Sequence, residues 1–268
     1  GNWQVDVQVD DGRGGTTVFY TFYLRIAANS PPVVARANSA QVFAAGTSLD
    51  YDTTQAGATF VDPDGDALPY EVTFRGDPRG LVISGTRISG AMTAIGAVEA
   101  TVTARDAFGG VTRDAFLLAA AAPEPGVPTL PAVTYIYRDG ALVMPKAFNV
   151  QPTPGGRYES TESPGNPLTD AGATLGRVLF YDRRLSITNS LSCGSCHRQA
   201  QGFASSQRFD TGVLGIPLKR NSMALGNVRY NLSTAWFADM RVRSLADLVL
   251  DPLQNHVEMG MPMGRLVT

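Results

Sequence analysis

Cys193-Gly194-Ser195-Cys196-His197 sets two thiols on either side of a dipeptide and puts an imidazole directly after the second. Each thiol at this spacing can add across one vinyl group of a porphyrin to make a thioether, and the next side chain then reaches the iron from below. This is the attachment signature of a c-type haem, with His197 as the proximal ligand. The chain has 2 cysteines and 2 histidines, and the pentapeptide uses both cysteines and one histidine. Redox dithiols and half zinc sites also use Cys-x-x-Cys. Zinc would need two more good ligands, and only His256 and carboxylates remain. A redox dithiol would follow a strand in a βαβ unit, a pattern not visible here. A disulfide between the two would leave the adjacent histidine unexplained.

Two further groups carry candidate chemistry. Glu258 sits among Val257, Met259, Met261 and Met263, so it is expected against a buried surface rather than as a helix-end surface residue. Desolvation there would raise its pKa and let it take and return a proton. His256, two residues earlier, has three open roles: sixth iron ligand, distal acid/base, or an ordinary hydrogen-bonded histidine. Asp62, Asp64 and Asp66 lie in Phe60-Val61-Asp62-Pro63-Asp64-Gly65-Asp66. Closely spaced hard oxygens suit Ca²⁺, and the same run is a good turn without any metal.

The elements that position these residues divide by period. At 268 residues there is room for two or more domains. A net charge of −2 makes no electrostatic case for nucleic acid or an anionic membrane. No apolar run reaches the ~18 residues that span a bilayer. The first part reads as β. Val5-Asp6-Val7-Gln8-Val9-Asp10 alternates, the turn Asp11-Gly12-Arg13-Gly14-Gly15 follows, and residues 16–26 form a second strand. A near copy comes later: residues 100–105, the turn Asp106-Ala107-Phe108-Gly109-Gly110, and a strand over 111–118. A repeat at constant offset marks tandem β-sandwich modules. Residues 1–29 are read as the end of one module and 30–122 as a complete one, so the chain is expected to begin inside a module. Four alanines from Ala119 and then Pro123, Pro125, Pro128 and Pro131 read as a stiff linker. Residues 123–165 are read as a Pro/Gly-rich arm with one strand-like patch over 133–137.

From residue 166 to 268 the period is helical. Thr169 or Asp170 can cap a helix with Leu175, Val178, Leu179 and Tyr181 on one face. Ser244 caps another, with Asp247 in its first turn and Leu245, Leu248, Val249 and Leu253 as its stripe. The expected fold is therefore multidomain: immunoglobulin- or cadherin-like β-sandwich modules followed by a mainly α, cytochrome-c-like haem domain.

Residues 1–122 resemble the cadherin-like and immunoglobulin-like repeats of bacterial surface proteins, many of which bind calcium through such aspartates. The C-terminal part resembles the bacterial di-haem cytochrome c peroxidase and MauG family. The matching segments are Leu175-Gly176-Arg177-Val178-Leu179-Phe180-Tyr181-Asp182, Arg184-Leu185-Ser186, the haem pentapeptide, Gly202-Phe203, Arg220-Asn221-Ser222, Asn227, Tyr230-Asn231, Asp239-Met240-Arg241 and Val257-Glu258-Met259. They cover about residues 166–263, the N-terminal haem domain of such enzymes. The resemblance implies that Cys193 and Cys196 carry the haem and His197 binds its iron. It implies that Glu258 handles protons during O–O cleavage of peroxide, and that Asn221 helps hold a calcium ion between two haem domains. Arg241 matches the family's Asp-Gly-Arg arginine, with Met240 in the middle here. The loop over 209–217, where relatives often carry a second histidine that caps the iron, has none. The family's tryptophan before Asp-Gly-Arg aligns with Ala238, two residues after Trp236.

The expected function is that of a haem c oxidoreductase, reducing peroxide or oxidising a protein substrate through high-valent iron. Its expected partners are a redox protein, peroxide, and a second haem domain beyond this sequence or on another chain. The chain is expected to end before its haem domain is complete, as a piece of a longer protein. Haem c attachment needs reduced thiols delivered outside the cytoplasm, so an exported, periplasmic or cell-surface protein is expected, with its signal peptide removed. The alternatives are an electron-transfer cytochrome and an adhesive or structural surface protein. In the first, His256 or one of Met223, Met240, Met259, Met261 and Met263 closes the sixth position.

Overall fold

The computed structural model describes residues 2–9, 13, 18–25, 28–137, 167–228 and 235–266. The Asp11–Gly15 turn apart from Arg13, the stretch 138–166, Tyr230-Asn231 and the last two residues lie outside them. Strands β1 (Asn2–Val9) and β2 (Val18–Arg25) pair antiparallel, with Asn2 opposite Arg25 and Val9 opposite Val18.

The region 31–122 holds three groups of strands and no helix among the described residues. The largest sheet runs in the order β4 (Gln41–Ala44), β11 (Val111–Ala121), β10 (Gly96–Arg105), β7 (Tyr70–Arg75). The facing sheet is β5 (Ser48–Asp52), β9 (Arg87–Ala91), β8 (Leu81–Ser84), and β3 (Val33–Val34) pairs with β6 (Phe60–Val61). All pairs are antiparallel except β11 with β4.

The core follows from the two-residue period of a strand. Val98, Ala100, Val102 and Ala104 of β10 meet Phe116, Leu118 and Ala120 of β11, with Ile88, Leu81, Met92 and Phe60 opposite. A polar pin closes one side. The Asn38 backbone and side-chain amides both donate to Asp114 Oδ2 at 2.7 Å, and Tyr51 OH donates to Asn38 Oδ1 at 2.6 Å. Burial, then the Asp114 charge, raises the Tyr51 hydroxyl above its usual pKa. Asn38→Ala would remove one of the two donors to a buried carboxylate and take from the Tyr51 hydroxyl its acceptor on Asn38. It is expected to cost roughly 1–3 kcal/mol, measured as a lower urea midpoint at unchanged slope.

The other face of this sheet is buried too. Ala97, Leu117 and Ala119 pack with Ile187, Val213 and Leu214 of the following region. Burying one Leu or Val side chain is worth roughly 1.5–3 kcal/mol, so each of Leu117, Val213 and Leu214 favours this joint. It also accounts for the run Phe116-Leu117-Leu118-Ala119-Ala120, buried without alternation, since a strand covered on both faces reads as continuous apolar sequence. The strand expected to stop at 118 continues to Ala121, so three of the four alanines belong to it rather than to the linker. The Ala122 amide then donates to Thr188 O at 2.8 Å.

Residues 133–137 form no strand, because no edge pairs with them; they dock instead. The Tyr137 amide donates to Asp170 Oδ1 at 2.9 Å, and the Arg177 guanidinium lies 5.1 Å from the centre of the Tyr135 ring. Their dock is helix α1 (Asp170–Tyr181). Regular structure after it is helical: α2 (Cys193–Cys196), α3 (Leu245–Gln254) and α4 (Met263–Leu266), with loops between. Thr169 caps α1 by accepting from the Gly172 amide, and Ser244 caps α3 by accepting from that of Asp247. The stripe expected on α1 is not buried: Leu175, Leu179 and Tyr181 are exposed, and Thr174 is the buried residue of the helix. In α3, Leu253 is buried while Val249 is exposed. Among the described residues no helix is long and apolar enough to cross a membrane.

Candidate functional site

The approach to the pentapeptide is built by the motif around it. Asp182 ends α1, is buried, and accepts from the Arg184 backbone amide, Nε and Nη2 at 2.7–3.1 Å. Arg184 holds its carboxyl below the usual range. Ser186, fully buried, accepts from the amides of Ser190 and Leu191 and donates to Arg183 O. This turn delivers the chain to Ser192, whose amide donates to Ser195 Oγ at 3.0 Å across the first turn of α2. Both thiols are free and half-buried. Burial pushes each above its usual pKa. Cys196 reaches about 11, with the charges of Asp210 and Glu258 adding to the effect.

His197 leaves the end of α2, and its Nδ1 lies 3.0 Å from both Phe203 O and Met223 O. Carbonyls only accept, so Nδ1 carries a proton and Nε2 is the nitrogen left to meet a metal. This fits a metal-binding imidazole, whose other nitrogen is normally donated to a carbonyl or carboxylate. A cleft of about 650 Å³ is lined among others by Tyr135, Phe180, Tyr181 and Phe203, and neither cysteine nor His197 lines it. That lies within the ~300–1,000 Å³ typical of ligand and cofactor sites. The residues present fit a covalent haem: two free thiols and an imidazole held by its Nδ1.

Glu258 is half-buried. Asn255 Nδ2 donates to its Oε1 at 3.0 Å, and its backbone carbonyl accepts from the Val213 amide at 2.9 Å. Burial raises its carboxyl above the ordinary glutamate value, with the Asp251 charge adding and Arg241 opposing. The loop over 209–217 lies against it. A Cβ on Gly212 would stand 2.7 Å from Glu258 O and closer still to Val257 O, so only glycine admits this approach. Asp210 is buried and accepts from Ser205 Oγ at 2.8 Å and Ser222 Oγ at 2.6 Å, while Val213 and Leu214 insert into the joint with the sheet.

The other candidates have varied surroundings. Arg241 pairs with both oxygens of Asp239 and with Asp251, and stacks 3.9 Å from the centre of the Phe237 ring. Trp236 is buried and Ala238 is exposed. His256 Nδ1 donates to Glu99 Oε2 at 2.8 Å. Met259 and Met261 are buried, while Met223, Met240 and Met263 are exposed.

Asn221 is exposed, with Nδ2 donating to Gln207 O at 2.6 Å. Asp62 Oδ1 accepts from the Asp64 and Asp66 amides, and Asp64 Oδ2 accepts from Ser30. These bonds are those of a turn. Among the described residues no three His, Cys, Asp or Glu side chains are arranged to hold a metal ion, so neither calcium expectation gains a coordination set here. Sequence reasoning missed Glu99, Gly212 and Asp210. Asp210 alone had a local signal, as an acid inside a loop already singled out.

Residues 170–268 match the family model for di-haem cytochrome c peroxidase, and residues 31–120 match a model for an Ig domain. Over 99 residues the chain is 35% identical to cytochrome c551 peroxidase of Pseudomonas aeruginosa, covering 37% of this chain and 28% of that protein. Over 112 residues it is 34% identical to methylamine utilization protein MauG of Methylorubrum extorquens, covering 41% and 31%. Among solved structures it is similar to a MauG-like protein associated with microbial copper homeostasis, at 28% identity and a TM-score of 0.36, covering 41% of this chain and 35% of that one. The chain thus spans less than a third of the length of these two curated relatives. Residues 170–268 are thus similar to the di-haem cytochrome c peroxidase family, and in the same chain residues 31–120 are similar to an Ig domain.

Proposed function

We propose that this chain carries the N-terminal haem domain of a peroxide-reducing enzyme of the cytochrome c peroxidase/MauG type. In this reading residues 1–29 end one β-sandwich repeat, 30–122 form a complete one, 123–165 are a linking arm and 166–268 are the haem domain, cytochrome-c-like in fold. Cys193 and Cys196 hold the haem, and His197 Nε2 is its protein ligand. The bound haem supplies the redox chemistry.

The chain's own residues supply position and protons. Peroxide takes two electrons and two protons to give two waters. The electrons come from a partner redox protein, and Glu258 takes the proton from one peroxide oxygen and gives a proton to the other. The observation that carries this role is a half-buried carboxyl held by Asn255 Nδ2, which desolvation raises in pKa. A group poised in this way can act as base and then as acid. Because covalent attachment uses thiols kept reduced outside the cytoplasm, the reading includes an exported protein.

The test is the electronic spectrum of the full-length, haem-loaded protein, before and after one-electron reduction, alongside peroxide turnover. A five-coordinate, high-spin signature from the haem on His197 is expected once the protein is reduced, together with turnover. A spectrum that stays six-coordinate, with no turnover, would put an electron-transfer cytochrome in its place.

A further inference from the structure

The Ig-like domain reaches the segment that carries Glu258 from β10 and from β11. Ala97 and Glu99 are two residues apart, so they leave the strand on the same face, opposite Val98 and Ala100 in the core. From Ala97 a backbone relay runs outward. The Ala97 amide donates to Val213 O at 2.9 Å, and the Val213 amide donates to Glu258 O at 2.9 Å. From Glu99 a side-chain bond runs to His256, two residues before Glu258, at 2.8 Å. The Glu99 side chain is 12% exposed, and Arg75 Nη1 stands 3.4 Å from its other oxygen. Leu117, opposite Glu99 on β11, lies over Gly260. The turn between is tied to itself: the Glu258 and Gly260 amides both donate to Asn255 O, and Asn255 Nδ2 holds the Glu258 carboxyl.

A sheet usually presents polar side chains to water on its outer face. On that face Glu99 is largely covered and aimed at the only histidine outside the pentapeptide. We propose that Glu99 is a positioning residue for Glu258: from the Ig-like domain it fixes His256, and with the Ala97–Val213 relay it sets where the Glu258 carboxyl stands. This deepens the functional reading above and rests on it for the link to turnover.

The experiment uses full-length, haem-loaded protein carrying Glu99→Ala, Glu99→Gln, Glu258→Gln and the Glu99→Ala/Glu258→Gln pair. Glu99→Ala is expected to lower kcat for peroxide about 10–100-fold, the range for residues that orient a reacting group, with KM and haem content little changed. In Glu99→Gln the amide oxygen still accepts from Nδ1, and most of the loss should be recovered. The double variant should be no slower than Glu258→Gln alone, because both act through one group. A second readout needs no turnover. The infrared carboxyl band of Glu258, assigned by subtracting the Glu258→Gln spectrum, should titrate at a shifted midpoint in Glu99→Ala. Unchanged kcat, losses that multiply in the double variant, or an unmoved midpoint would overturn the positioning role. Wild-type protein without turnover whose Glu258 midpoint still moves in Glu99→Ala would overturn the peroxidase reading and leave the positioning role standing.

Discussion

Replacing Cys193 and Cys196 together by alanine is expected to remove covalent haem completely. Intact-mass analysis of wild-type protein should show the polypeptide plus one haem, and the double variant should show the bare polypeptide. The argument is stoichiometric. Each thioether consumes one thiol, and these are the only 2 cysteines in the chain. Each single variant keeps one thiol and should retain a singly tethered haem at lower yield. His197 sharpens the expectation, because its Nδ1 is committed to Phe203 O and Met223 O and the ring is already turned for a metal. A wild-type mass equal to the bare chain would sink the assignment, and a stoichiometric zinc ion on that chain would return the thiols to the zinc reading.

Glu258→Gln is expected to lower peroxide turnover in the full-length enzyme by roughly 10²–10⁴-fold, about 3–5 kcal/mol of barrier. Haem attachment and the ferric spectrum should not change. Glutamine keeps the size of the side chain and a carbonyl oxygen for Asn255 Nδ2, but it cannot take and return a proton. The pH dependence separates this from a packing defect. Burial, then the Asp251 charge, raises the Glu258 carboxyl, so the acid limb of wild-type kcat/KM should lie above the ordinary glutamate range and disappear in the variant. Stability should respond with a definite sign. A group whose folded pKa is raised contributes stability that is fully present below its unfolded pKa and is lost as pH rises through the folded value. Melting temperatures of wild type and variant should therefore differ in how they change across that window. Wild-type turnover in Glu258→Gln would end the proton-transfer role.

Much of this protein is readable locally. Thr169 and Ser244 announce the helices they cap because a cap is decided within three residues. The hairpin of β10 and β11 is visible in its alternation and its Asp106 turn, whose carboxylate accepts from the Phe108 and Gly110 amides. The partial burial of Glu258 is foreshadowed by its apolar neighbours. What escaped is non-local. Alternation assigns a strand one buried face, so the second apolar face at Ala97, Leu117 and Ala119 has no sign beyond an unbroken run. The bond that fixes His256 joins residues 157 positions apart, and no spacing rule reaches that far. The apolar stripe of α1 was legible as a pattern, but a pattern does not say whether protein covers it, and Leu175 and Leu179 are exposed.

The face of β10 and β11 that meets Val213 and Leu214 bears on how such a chain can be inherited. Ig-like domains are commonly traded between proteins as self-contained cassettes, which works when their outer strands are polar and indifferent to what lies beside them. This one is not indifferent. A donor domain of the same topology with ordinary charged residues at the positions of Ala97, Leu117 and Ala119 would press unpaired charge into an apolar surface, at a cost of several kcal/mol per group. It would also leave His256 without its acid. The boundary between the two modules is therefore a poor place for recombination, and the pair is expected to travel through a lineage as one cassette.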